Sequence, residues 1–168
     1  MDDQPMHTAP RVALVTGAGG GGTGRAIALR LAKGSPVVVN DIDAAEAAKV
    51  VKEITAAGGK AVASSADIGT RAGCAALIGQ CADAFGAIDI LVNNAGMQFR
   101  SPLQDFPIKQ WEQLLATNVS SVFYVAQAVA RHMIRRGRGK IINIASVQSE
   151  LARPNIAPYT ATKGAVRN

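Results

Sequence analysis

The sequence predicts an α/β fold: a Rossmann-like, doubly wound parallel sheet with strand order 3-2-1-4-5. Three observations carry this. Short apolar runs alternate with helical stretches along the chain, the rhythm of parallel βαβ units with right-handed crossovers. The runs VALV, VVV and ILV are apolar at successive positions, as strands covered on both faces require. The first run leads straight into a glycine-rich loop and then a helix.

Residues 1–10, MDDQPMHTAP, read as a loose tail, and residues 11–168 as one domain. Residues 11–16, RVALVT, are the first strand. Eight residues, GAGGGGTG, follow at 17–24, and RAIALRLAK at 25–33 has helical spacing. Glycines there let a backbone approach a phosphate closely, and the helix N-terminus behind them offers free N–H groups and a positive dipole end. Residues 36–40, PVVVN, are the second strand, with Asp41 at its end. An acid in that place can accept from a ribose 2′-OH, which favours NAD over NADP; it can equally serve the helix that follows as a cap.

The helix over 44–57 ends at Gly58-Gly59. Residues 60–65 form the third strand, followed by Asp67-Ile68. The third helix, 71–84, carries the interruptions Gly73 and Gly79. IDILV at 88–92 is the fourth strand, closed by Asn93-Asn94-Ala95-Gly96. Residues 106–136 read as one long helix with a short turn before it at 102–105. Asn118 lies in the middle of its apolar stripe and needs a partner if buried. Gly137-Arg138-Gly139 breaks the helix, and 140–145 is the fifth strand.

Charge and composition narrow the function. Apolar residues are 48% and charged residues 18%, enough to bury a core and unlike a disordered chain. The net charge of +6 draws on Arg131, Arg135, Arg136, Arg138 and Lys140, where cations suit a helix C-terminus. Aromatics do not interleave with that cluster, so a nucleic-acid partner is not expected; a site for anionic small molecules explains the sign. No apolar run is long enough to span a bilayer, and the first residues lack a secretory h-region. Cys74 and Cys81 read as buried thiols, with neither CxxC nor a nearby His for a metal. The expectation is a cytoplasmic protein with a small-molecule substrate, no membrane partner and no metal.

The densest chemistry lies between Ile141 and Lys163. Ser146 falls just past the fifth strand, Tyr159 thirteen residues later, and Lys163 four after that. If Tyr159 opens a helix, the i, i+4 spacing puts phenol and ammonium on one face. Beside a serine they make a plausible acid–base set. The alternative is a tyrosine at the edge of the core and a solvated lysine.

Taken together, TGAGGGGTG at 16–24, NNAG at 93–96, Asn118, Ser146 and YTATK at 159–163 resemble the short-chain dehydrogenase/reductase family. The similarity runs from about residue 11 to the end. Within the family, GMQFRSPLQDFP and ASVQSELARPNIAPYTATKGAVRN look most like gluconate 5-dehydrogenases, with 3-oxoacyl-carrier-protein reductases and sugar-alcohol dehydrogenases as neighbours.

The resemblance implies an NAD(P)-binding domain over 11–168 and hydride transfer between nicotinamide and a secondary alcohol or ketone. It implies Tyr159 as general acid/base, Lys163 as the cation that lowers the tyrosine pKa and holds the nicotinamide ribose, and Ser146 as a hydrogen-bond partner of the substrate oxygen. Asn118 would anchor a water. Gly17, Gly22 and Gly24 would cradle the pyrophosphate, and Asp67, Ile68, Asn94, Ala95 and Gly96 would line the adenosine side. Arg100, Gln148 and Arg153 stand near the expected substrate mouth, an arginine there being suited to a carboxylate. A homo-oligomer through the long helix and the Tyr159 helix is implied as well.

The chain also departs from the pattern. The glycine loop is one residue longer than TGxxxGxG, and Thr23 stands where Ile or Leu is usual. Family members run longer, so the chain reads as truncated: the last family strands missing, the fifth strand a sheet edge, and catalysis impaired. A nucleotide-binding fragment without turnover is the alternative outside the enzyme class.

Overall fold

A computed structural model describes residues 10–168; the expected tail at 1–10 lies outside them except for its last residue. Five parallel strands form one sheet in the order β3-β2-β1-β4-β5. They are β1 (Ala13–Thr16), β2 (Val37–Asn40), β3 (Ala61–Ser64), β4 (Ile90–Asn93) and β5 (Lys140–Asn143). The expected order is therefore observed. In the centre Leu14 pairs with Val38 on one side and with Leu91 on the other. Successive residues face opposite sides of the sheet. Ala13, Val15, Val37, Val39 and Val92 pack under α1 (Thr23–Leu31) and α2 (Ala44–Ala56). Leu14, Val38 and Leu91 pack under α3 (Arg71–Phe85) and the helix that ends at Arg135. Two cores on one sheet explain why the strands are apolar at every position.

Local chemistry sets the helix ends. The Asp43 side chain caps α2 by accepting from the N–H groups of Ala45 and Glu46. Thr70 caps α3 by accepting from Gly73 N, 3.0 Å. Gly86 ends α3 with φ +71°. Gly73, which weakens the helical pattern, stands where a Cβ would come 1.9 Å from the Asp67 carbonyl oxygen. It is the price of packing α3 against the Asp67 loop.

The expected long helix over 106–136 is corrected. A single 3-10 turn covers Leu103–Asp105, α4 covers Ile108–Leu115, a π-helical turn covers Ala116–Ser120, and α5 covers Ser121–Arg135. Pro107 holds an extended conformation and delays the start. The π turn is centred on Asn118, whose side chain is drawn out of the helix. The last helix, α6, covers Ala157–Arg167, with Pro158 at its N-terminus. Tyr159 is its third residue.

The basic cluster is also corrected. Arg136 and Arg138 lie past α5 and face the buried Asp89 at 3.5 Å and 3.0 Å. Asp89 is 4% exposed and accepts from Val12 N at 3.0 Å. Its own N–H donates to Val12 O, and its carbonyl accepts from Lys140 N, both at 2.9 Å. One residue, through its carboxylate and its backbone, thus joins the starts of β1, β4 and β5. Burial alone would raise its pKa, but the Val12 N–H and the two guanidinium groups outweigh it, and the net direction is down. By contrast burial pushes the Cys81 thiol up to about 12, and Cys74 donates to the Ile68 carbonyl, so both thiols are inert core groups.

β5 is the sheet's edge, and all four of its residues are exposed. Ile141 and Ile142 are 38% and 48% exposed, which bears out the expected apolar edge.

Because the folded-state pKa of Asp89 is depressed, its contribution is present above the unfolded value near 4 and is lost as pH falls through the folded value. Asp89→Asn is expected to cost about 1–3 kcal/mol in urea unfolding at pH 7. The gap to the unmodified chain should close in acid; a gap that persists unchanged at pH 3 refutes the assignment.

Candidate active site

The loop after β1 is crowded on its inner side and open on its outer side. Gly17 has φ +61°, and a Cβ there would stand 2.6 Å from Ala95 Cα. A Cβ on Gly24 would stand 2.3 Å from Gly17 O and 2.4 Å from Asn94 Nδ2. Around Gly20, Gly21 and Gly22 there is nothing within 4 Å. Gly22 is the N-cap of α1, and no side chain caps that helix. Its first N–H groups are thus left for an outside acceptor, and the bare backbone beside them lets a large anion come close. The extra loop residue does not displace this helix end; α1 begins at Thr23.

A cavity of about 800 Å³ opens in front of the loop. Nine of the eleven residues expected to bind the cofactor line it, Gly17, Gly22, Gly24, Asp41, Asp67, Ile68, Asn94, Ala95 and Gly96; the other two, Tyr159 and Lys163, do not. Asp41 does two things at once. Its Oδ2 accepts from Gly19 N at 2.9 Å and its Oδ1 from Asp43 N at 3.1 Å. It does not cap α2; Asp43 does. Thr16 was not expected to matter. Its hydroxyl accepts from the N–H groups of Asn94 and Ala95, both at 3.1 Å. Asn94 Nδ2 returns bonds to Thr16 O and Gly17 O at 3.0 Å and 2.9 Å. These four bonds hold the ends of β1 and β4 together as the cavity floor.

The second half of the site begins at Asn118, which is fully buried. Its Oδ1 accepts from Met97 N at 2.8 Å, and its Nδ2 donates to Met97 O and to Thr162 Oγ1, both at 3.0 Å. Thr162 in turn donates to the Tyr159 carbonyl at 2.8 Å. Lys163 is 5% exposed and donates from Nζ to Ile144 O at 2.7 Å. Burial lowers its pKa from the ordinary value. Its carbonyl accepts from Ser149 Oγ at 2.9 Å, and that same oxygen accepts from Ser146 N at 3.3 Å.

Ser146 lies three residues beyond β5 and caps a 3-10 turn, Val147–Ser149. Asn118 is therefore tied to the Tyr159 carbonyl through Thr162, and the Lys163 carbonyl to the Ser146 N–H through Ser149, two residues that sequence reasoning missed. Thr162 lies within YTATK, and its burial beside a helical Asn was its only signal. The expected solvated-lysine alternative for Lys163 does not hold. Gly96 connects the two halves: a Cβ there would stand 3.5 Å from Asn118 Oδ1 and 3.6 Å from Lys163 Nζ. The ammonium thus stands behind the cavity wall.

Of the residues expected near the substrate, the structure brings Gln148 and Arg153 together. With the Gln148 amide nitrogen turned to Leu151 O at 2.6 Å, its oxygen accepts from Arg153 Nε at 3.2 Å. Arg100 is exposed on the neighbouring loop, which is tied to this one by Ser101 N donating to Asn155 O at 3.1 Å. Among the described residues no group of three or more His, Cys, Asp or Glu could hold a metal, and no helix is long and apolar enough to cross a membrane.

Fold and site together define a Rossmann-like α/β chain whose glycine loop opens a cavity at the carboxyl ends of the strands, with Lys163 Nζ bonded to Ile144 O just past β5. The sequence profile described as short chain dehydrogenase matches residues 11–168, and the chain belongs to that family. It is 52% identical over 161 residues to the gluconate 5-dehydrogenase of Gluconobacter oxydans, covering 93% of this chain and 61% of that protein. It is 43% identical over 155 residues to the 5-keto-D-gluconate 5-reductase of Escherichia coli K12, covering 92% and 61%.

Among solved structures it is similar to a gluconate 5-dehydrogenase from Burkholderia cenocepacia in complex with NADP and tartrate. That match has a TM-score of 0.87 and 52% identity, and covers 94% of this chain and 62% of the other. A 7α-hydroxysteroid dehydrogenase complexed with NADH and 7-oxo glycochenodeoxycholic acid has a TM-score of 0.88 at 38% identity, covering 93% and 61%. The chain spans about three fifths of the length of the curated relatives it matches.

The loop's crowding predicts a contrast. Gly24→Ala should lower stability by about 1–3 kcal/mol in thermal or urea unfolding, because backbone and Asn94 must yield. Gly21→Ala, in open space, should change stability by less than about 0.5 kcal/mol. Equal effects would contradict the geometry.

Proposed function

We propose that the chain carries the dinucleotide-binding and proton-transfer site of an NAD(P)-dependent oxidoreductase. The reaction is hydride exchange between nicotinamide and a secondary alcohol or ketone, the substrate class a sugar acid or polyol, and gluconate the first compound to test. One observation carries this reading: a buried ammonium, Lys163, stands behind Gly96 of the cavity wall and donates to Ile144 O, two residues before Ser146. The residues fit the cofactor on independent grounds. The uncapped start of α1 and the bare Gly20–Gly22 edge suit a pyrophosphate, and the cavity is of dinucleotide size.

When bound, the nicotinamide supplies or takes the hydride. The chain supplies position and a proton. Tyr159 gives its phenol proton to the substrate oxygen as a ketone is reduced, or takes it as an alcohol is oxidised. A free phenol has a pKa of about 10, so work near neutrality needs a fixed cation, and Lys163 is that cation. Ser146 Oγ accepts from Gln148 N at 3.1 Å, which leaves its own hydrogen for the substrate oxygen. Asn118 has both amide hydrogens committed and one lone pair of Oδ1 left for a water beside Lys163. Arg100 or Arg153 takes a sugar-acid carboxylate. The tartrate of the Burkholderia relative and the ketogluconate named for the Escherichia relative support a hydroxy-acid substrate.

The cofactor is NAD or NADP, and Asp41 favours NAD. A ribose 2′-OH can donate to its carboxylate, whereas a 2′-phosphate meets its charge. A homo-oligomer through α4, α5 and α6 goes with the family reading. A second reading, nucleotide binding without turnover, is favoured by the cavity lining, which runs from Gly17 to Thr117 and includes none of Ser146, Tyr159 and Lys163.

Fluorescence of bound NADH and NADPH, run beside a gluconate turnover assay, separates the two. The oxidoreductase reading expects binding and turnover, with Tyr159→Phe reducing turnover by at least about 100-fold while nucleotide affinity holds. Binding with no turnover in the unmodified chain selects the second reading, and no binding removes both. Asp41→Asn keeps an oxygen for Gly19 N–H but loses the charge. It should raise the NADPH to NADH affinity ratio by about tenfold; an unmoved ratio ends the case for Asp41 as the selector.

A further inference from the structure

We infer that Gln148 is a positioning residue that sets the Arg153 guanidinium to take a substrate carboxylate on its outer edge. The inference rests on the sugar-acid reading and names the device that recognises the acid. Gln148 is only 8% exposed, so each amide group it leaves unpaired would cost stability. Both are paired: the nitrogen with Leu151 O and the oxygen with Arg153 Nε. The backbone N–H of the same residue is held by Ser146 Oγ. One residue thus spans the reacting serine and the arginine.

A guanidinium offers a carboxylate either of two forked edges. With Nε taken by Gln148, the Nη1/Nη2 edge remains. Arg153 is exposed, and no Asp or Glu among the described residues pairs with it. The acid nearest in sequence, Glu150, is held by Arg167 at 2.8 Å. The segment that carries Arg153 is pinned at both ends. Gln148 holds Leu151 at one end; at the other, Asn155 takes φ +65° and its carbonyl accepts from Ser101 N. A long side chain on a pinned loop, clamped at Nε, has less freedom to lose on binding than a surface arginine.

The test compares gluconate with glucitol, the neutral polyol of the same skeleton length, binding to the nucleotide-loaded chain by calorimetry. Gln148→Leu should reduce the preference for gluconate over glucitol by about tenfold, with nucleotide affinity unmoved. Arg153→Lys keeps the charge, loses the fork and sits on the surface, so it folds; it should reduce the preference to a similar degree. The double variant should be no worse than the worse single, since one residue acts through the other. Independent, additive losses, or equal loss for gluconate and glucitol, overturn the inference. Intact nucleotide binding with a preference indifferent to both substitutions overturns it alone, whereas failure of the unmodified chain to bind nucleotide removes the functional reading with it.

Discussion

The Asn118 amide is the interaction on which the site depends. It lies in the π turn between α4 and α5, yet it bonds the loop after β4 at Met97 and α6 at Thr162. Those are three segments from three parts of the chain. One carries Gly96, one carries Tyr159 and Lys163, and the third is the only rigid body between them. An isolated amide in a core would be unfavourable; this one has both hydrogens and one oxygen lone pair satisfied. To reach both partners the backbone leaves the i→i+4 ladder for one turn, which is why a π turn stands at Ala116–Ser120. A local loss of helix regularity is exchanged for the relative position of a glycine and a lysine.

Electrostatics then follow from placement rather than from the count of charges. The chain's positive balance lies partly in Arg136 and Arg138, which are spent on Asp89 at the far end of the strands. At the carboxyl ends, the positive features are a helix N-terminus and one buried ammonium. Burial lowers the pKa of Lys163, so its charge is held against a desolvation cost. Among the described residues no acid pairs with it, so its charge is less screened than that of a surface lysine.

Strand order and the two-sided burial of β1, β2 and β4 were legible because apolar runs without alternation have one common explanation, a sheet covered on both faces. The nine cavity residues were legible because glycines and chain-end acids stand at characteristic places along such a sheet. What was not legible came from side chains that act across the fold. Thr16, Thr162 and Ser149 are ordinary hydroxyl residues, and nothing in their spacing distinguishes a clamp from a solvated surface. Asp89 read as part of a strand, since its partners lie 77 and 49 residues away. The π turn was missed because apolar residues continue on both sides of it, and what defines it is a change of backbone hydrogen bonding that the sequence does not display. Gln148 and Arg153 were picked out together near the substrate mouth, but the bond between them needed coordinates.

The two halves of the site rest on unequal supports. The glycine loop leaves β1, whose four residues are buried, and Asn94 follows β4, three of whose four residues are buried. The Ser146 turn leaves β5, none of whose residues is buried. β5 is held to β4 by a parallel ladder from Ile90 and Lys140 to Asn93 and Asn143, by Asn93 Nδ2 donating to Asn143 Oδ1 at 3.0 Å, and, just after it ends, to α6 by Lys163 Nζ donating to Ile144 O. That last bond is made by Lys163, the residue proposed to act on Tyr159. The group that would tune the phenol is thus also the group that fastens the serine's strand to α6. A change that removed its charge would loosen the serine at the same time, so acid–base chemistry and local order are coupled through one ammonium.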